Sequence, residues 1–291
     1  MRRIGWACGL ALSLSVTACV PEVGRATREV ADRAASPEVR STAVVAHALG
    51  YSPHGLRQNV AGYLAGRPGR AAVMVEDLRT GASFGWSQHS SFMTASIVKV
   101  DILAGLLLLR QDQHLGLSDN EQEAAARMIH FSDNKAANTL YREVGMGAGL
   151  TLLNRRLGLR ETFPYSTSWG SSDTTPADQI RLLHQLTDDS SPLRQAARRY
   201  VLRLMSGVTP EQAWGISAAA EDGEMVALKN GWVPLRYQGI GWEINSIGRI
   251  IGRSHDFLVA VMTTGNPSRD AGIETTEHLA DLVVSALRHA R

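Results

Sequence analysis

The sequence predicts an α+β fold in which strands from both ends of the chain form one five-stranded antiparallel sheet around an inserted all-helical subdomain. Three observations predict it. Strand-like runs occur as a pair within residues 71–86 and as a trio within 225–264. Residues from about 94 to 222 carry helical patterns between them. The chain closes on an amphipathic helix, with Leu279, Leu282, Val283, Ala286 and Leu287 at helical spacing.

The first element in order is an export signal over residues 1–18. Arg2 and Arg3 precede an apolar stretch from Ile4 to Ala18, too short for a comfortable membrane span. It ends in Val16-Thr17-Ala18-Cys19, which resembles a bacterial lipobox and makes Cys19 the lipidation site. The expected product is exported and lipid-anchored on the extracytoplasmic face of the cell membrane. The second cysteine, Cys8, lies within the signal, so the mature chain holds no free thiol, disulfide or cysteine metal site. Residues 19–44 are polar and read as a tether, and the folded domain is expected over 45–291. Removing the signal takes two arginines and leaves 28 basic against 28 acidic residues, which points to no nucleic-acid partner.

The run AAVMVEDL (71–78) reads as a buried strand, Arg79-Thr80-Gly81 as a turn, and 82–86 as the returning strand. Residues 97–109 are apolar on nearly every face, as in a buried helix; Lys99 and Asp101 argue against a membrane span. Ser118 with Glu121 fits a capping box. Ala137, Leu140, Tyr141 and Val144 mark another helix, and the glycines from Gly145 to Gly149 read as its stop. Thr175-Pro176 opens a helix running through Leu186. Strands are expected at 225–233, roughly 240–251, and 257–264.

Chemistry concentrates at three places. Ser96 and Lys99 stand three apart at the start of the buried helix, on one face. A serine needs a neighbour to take its proton, and desolvation lowers a lysine's pKa until it can do so. Ser132-Asp133-Asn134 precedes a helix; it could relay a proton and hold a carbonyl, or could simply be a cap like the identical triplet at Ser118. Lys229-Asn230-Gly231 lies inside a strand, where a lysine is costly unless it faces a cleft or a partner. The chain has three lysines, Lys99, Lys135 and Lys229, among 30 basic residues. Two of them fall in these motifs, and lysine, unlike arginine, can lose its proton.

SIVK (96–99), SDN (132–134) and KNG (229–231) resemble, in order, the S-x-x-K, S-D-N and K-T-G signature of class A β-lactamases and penicillin-binding proteins. SDNKAAN (132–138) and DTTPADQIRLL (173–183) extend the resemblance, which spans roughly residues 50–290. It implies a β-lactamase/transpeptidase-like fold. It implies Ser96 as nucleophile, Lys99 as base directly or through water, and Ser132 as proton donor to the leaving nitrogen. Lys229 would supply charge to a substrate carboxylate, Asn134 would bind the acyl side chain, and Ser96 and Trp232 N–H groups would form the oxyanion hole.

The chain departs from that family in places. Asn230 replaces a hydroxyl residue expected to bind the substrate carboxylate, and Trp232 is bulky beside Gly231. The loop 160–176 lacks the glutamate that activates the deacylating water, leaving Glu161 as the nearest carboxylate. Losing a general base typically costs about 10²–10⁴-fold. Three readings therefore stand open: a β-lactamase-like hydrolase of β-lactams or related amides and esters, a penicillin-binding-protein-like enzyme on cell-wall peptides, and a non-catalytic binding lipoprotein. No metal and no organic cofactor is expected, and the partner is a small β-lactam or peptide substrate met by a monomer.

Overall fold

The computed structural model describes residues 52–235, 239 and 241–290. The expected export signal, Cys19, the tether and the first residues expected in the domain lie outside the described residues.

Ser52 opens the first helix, α1 (Pro53–Ala65), by accepting from Gly55 N at 3.2 Å. Its hydrophobic pattern gave no signal, because it buries only Leu56 and Val60. Strands β1 (Arg70–Asp77) and β2 (Ser83–Trp86) pair antiparallel within a residue of the expected bounds. A short strand β3 (Phe92–Met93) leads through a 3₁₀ turn at Ala95–Ile97 into α2 (Val98–Asp112). The apolar character of α2 on every face matches its surroundings: it is buried nearly all round, from Val98 through Leu106.

Next come α3 (Asp119–His130), α4 (Asn134–Glu143) and α5 (Met146–Arg156). The glycine run does more than stop a helix. Gly145, at φ 83, turns the chain, and α5 starts at the next residue. After β4 (Asp173–Thr174), Thr175 caps α6 (Pro176–Thr187) by accepting from Asp178 N at 3.1 Å. Helix α7 (Gln195–Ser206) follows; the sequence reading did not identify it. Strands β5 (Met225–Pro234), β6 (Trp242–Ile251) and β7 (Asp256–Asn266) precede α8 (Arg269–Arg288), which begins ten residues before the apolar face expected from Leu279.

The five long strands form one sheet in the order β2-β1-β7-β6-β5, every neighbour antiparallel. Strand β1, from the start of the domain, thus pairs with β7, from its end. The central strand β7 alternates between two cores. Leu258, Ala260 and Met262 pack with the helical insertion. Phe257, Val259 and Val261 pack with α1 and α8, against Val60, Leu279 and Val283. The same alternation on edge strand β5 puts Ala227 on the helical side and Leu228 on the other. Lys229 therefore faces the insertion, and Asn230 faces away from it.

Helix α2 is the insertion's hub, so truncating it leaves a cavity that neighbours on all sides would have to fill. Leu103→Ala, at a fully buried position, is expected to lower unfolding free energy by about 2–5 kcal/mol in urea titration.

Candidate active site

The site forms where the 3₁₀ turn before α2, the entry to α4, and β5 converge. Ala95 holds the chain at φ 47 immediately before Ser96, and Ser132 sits at φ 56. Left-handed conformations are uncommon outside glycine and cluster at functional positions. Gly231 brings β5 against the turn. A Cβ there would lie 2.7 Å from Ser96 N and 2.9 Å from Ile97 N and Thr94 O. Gly231, a candidate substrate-binding residue, thus admits the chain's own Ser96 segment and sets the Ser96 and Trp232 segments side by side.

Lys99 is completely buried. Its Nζ lies 3.0 Å from Ser96 Oγ, 3.0 Å from Ser132 Oγ, 2.7 Å from Ser132 O and 2.8 Å from Asn134 Oδ1. The last two atoms can only accept, so they take two N–H groups of the amine. What remains on a neutral amine is its lone pair, for a hydroxyl hydrogen. Burial lowers the Lys99 pKa to about 7, opposed by the nearby Asp133 carboxylate. The amine is thus poised to exchange a proton near neutrality, as a general base requires.

Lys229, also fully buried, puts Nζ 3.1 Å from the same Ser132 Oγ and 2.7 Å from Asn230 O. Burial, together with the Lys99 amine, holds its pKa well below the ordinary lysine range. Two ammonium groups against one hydroxyl would repel, which disfavours charging both amines at once. Ser132 bridges both amines.

The two identical triplets divide as their contexts require. Ser118 forms the expected capping box, its Oγ accepting from Glu121 N and its N–H donating to Glu121 Oε2 at 2.8 Å. In the second triplet the cap is Asp133, whose Oδ1 accepts from Lys135 N at 2.7 Å and Ala136 N at 3.0 Å. Ser132 is thereby released from capping and turned to the lysines. With its oxygen taken by Lys99, Asn134 has its amide NH₂ to offer a ligand.

Two expected site residues stand elsewhere. Asn230 is fully buried on the far face of the sheet, its Nδ2 donating to Gln212 O at 2.7 Å and Trp214 O at 2.8 Å. The period of two that turns Lys229 into the site turns its neighbour out of it, so Asn230 braces a loop rather than presenting its amide to a carboxylate. Glu161 accepts from Thr175 Oγ1 at 2.7 Å and lies 2.9 Å from His89 Nδ1 and 3.5 Å from Arg181. Among the described residues, no carboxylate is hydrogen-bonded to Ser96, Lys99 or Ser132.

The loop 160–173 reaches the site with a different residue. Asp178, buried on α6, accepts from Arg160 N at 3.0 Å, Glu161 N at 2.7 Å and Thr162 Oγ1 at 2.7 Å, and so anchors one end. Thr94 N donates to Ser172 O at 2.7 Å at the other. Between them Trp169 lies with its ring centroid 4.6 Å from Lys99 Nζ. Sequence reading did not single it out, since nothing in a lone loop tryptophan says what it covers.

The comparisons with known proteins bear on the family and the fold. A family model described as the beta-lactamase enzyme family matches residues 55–122 and 111–287. Proteins that carry the name lipoprotein LppW, from Mycobacterium tuberculosis and Mycobacterium bovis, are 29% identical over 215 residues. The match covers 70% of this chain and 66%, just under two thirds, of those relatives. The TLA-1 extended-spectrum β-lactamase superposes with a TM-score of 0.73 at 18% identity, over 80% of this chain and 98% of its own. PBP-A does so with a TM-score of 0.70 at 21% identity, over 81% and 96%. At these identities the structural likeness is one of fold.

Two outcomes follow from the site's geometry. Gly231→Val should abolish any reaction at Ser96, measured as covalent adduct formation, because the added side chain meets backbone. Acylation should rise with pH through about 7 and level off above it, since the neutral Lys99 amine accepts the Ser96 proton. A profile that instead falls with rising pH across that range would exclude Lys99 as base.

Proposed function

We propose that this chain, which belongs to the beta-lactamase enzyme family, is an extracytoplasmic serine enzyme acylated at Ser96 by β-lactams or related amides. The observation that carries this reading is a single buried amine within 3.0 Å of both hydroxyls the reaction needs. Ser96 Oγ attacks the substrate carbonyl while the Lys99 lone pair takes its proton. The oxyanion that forms is held by N–H groups of Ser96 and Trp232. When the carbon–nitrogen bond breaks, the leaving nitrogen takes a proton from Ser132 Oγ, which is replenished from Lys99. Lys229 donates to Ser132 Oγ and, once protonated, draws an anionic substrate. The Asn134 amide orients the acyl group.

Breakdown of the acyl-enzyme is the weaker half of the cycle. The Glu161 carboxylate is already engaged by Thr175, His89 and Arg181. This supports a long-lived acyl-enzyme, as in a penicillin-binding enzyme on cell-wall peptides, over rapid β-lactam hydrolysis. Export and lipid attachment at Cys19 are part of the same proposal. They are supported by the lipobox-like sequence and by the lipoprotein name its mycobacterial relatives carry.

Intact-mass spectrometry after incubation with penicillin is expected to show one stoichiometric adduct, absent in Ser96→Ala. Lys99→Arg, which stays charged and so has no lone pair to take a proton, should slow adduct formation by about 10²–10⁴-fold. Rapid multiple turnover of a chromogenic cephalosporin would overturn the long-lived acyl-enzyme. Absence of any adduct with penicillins, cephalosporins and activated esters would overturn catalysis and leave a binding protein.

A further inference from the structure

We propose that Trp169 is a positioning residue that shields the Lys99 amine and the Ser96 acyl bond from water, and thereby sets the lifetime of the acyl-enzyme. This inference rests on the acylation reading above. Hydrolysis of the acyl-enzyme requires a water to bond to the acyl carbon and give a proton to Lys99 Nζ. The carbon–Oγ bond then breaks, Ser96 Oγ takes the proton back, and the acid leaves. The water must therefore sit beside both Nζ and the Ser96 ester, whose Oγ position is 3.0 Å from the amine.

The surroundings of Nζ leave little room for it. Ser96, Ser132 and Asn134 supply its four polar neighbours. The indole ring of Trp169 packs against it at 4.6 Å from the loop side. The ring is fastened rather than free. Its Nε1–H donates to Asn138 Oδ1 at 2.7 Å, and its backbone carbonyl accepts from Thr94 Oγ1 at 3.4 Å. Ser172, three residues on, accepts from Thr94 N two residues before the nucleophile. Thr94, beside the nucleophile, and Asn138, on α4, therefore hold the tryptophan in place. An aromatic face offers a base no proton to exchange, while it excludes the one molecule whose activation would complete hydrolysis.

The test is the rate at which penicillin-acylated protein loses its adduct, followed by intact-mass spectrometry, in wild type and in Trp169→Ala, Trp169→Leu and Trp169→Phe. Acylation rates are measured in parallel. Trp169→Ala and Trp169→Leu are expected to shorten the adduct lifetime about 10- to 100-fold, short of the full range of a well-placed general base. Acylation should remain within about threefold, and Trp169→Phe, which keeps a ring on the amine, should stay close to wild type. A variant damaged in its fold would acylate more slowly and would not gain release, so faster release separates shielding from mere support. Equal lifetimes in wild type, Trp169→Ala and Trp169→Leu would overturn this inference while leaving acylation intact. No adduct on the wild-type chain would overturn the acylation reading itself, and this inference with it.

Discussion

Everything at this site depends on one buried nitrogen. Lys99 Nζ holds together three segments that are distant in the chain: the nucleophile turn, the entry to α4, and, through Ser132, strand β5. An amine buried without partners would cost several kcal/mol. Here two carbonyl oxygens satisfy its hydrogens and two hydroxyls face its lone pair. The same burial that would be a liability for a structural lysine lowers its pKa to about 7 and makes it useful. Stability and chemistry are the same interaction seen twice.

The sheet makes that interaction possible by mechanical means. Pairing β1 with β7 brings the two ends of the domain together, leaving the helical insertion to pack on one face. Edge strand β5 then lies against the 3₁₀ turn, at a separation that Gly231 permits and no side chain would. Strand alternation decides which of two adjacent residues enters the site. Lys229 does and Asn230 does not, although both side chains carry N–H groups that could meet an anion.

The loop 160–173 bears differently on the two halves of the acyl-transfer cycle proposed for this chain. Its anchoring is thorough: Asp178 gathers the first three residues, and Thr94 ties the far end to the nucleophile segment. What it delivers to the lysine is an indole ring rather than a carboxylate. An indole ring there leaves the contacts of Lys99 with Ser96 and Ser132 in place while adding no base for water.

Much was legible in the sequence, because it was local. The strands of the sheet, the buried α2, the capping box at Ser118 and the Thr175-Pro176 helix start are written in short-range periodicity and capping chemistry. Ser96 with Lys99 was readable because three residues make one helical turn, and the scarcity of lysine marked Lys99 and Lys229. Helix α1 went unread for the converse reason: it buries only two side chains, and a weak apolar stripe is indistinct until something packs on it. Helix α5 was hidden by glycines that read as a stop; α7 buries Val201, Leu204 and Met205 at helical spacing and was simply not identified. Only the tertiary structure decided that Asn230 faces away, that Glu161 is engaged elsewhere, and that Trp169 covers the amine. Those are facts about which surfaces meet, and a chain's own spacing constrains neighbours along a helix or strand but not the partner that arrives from another element.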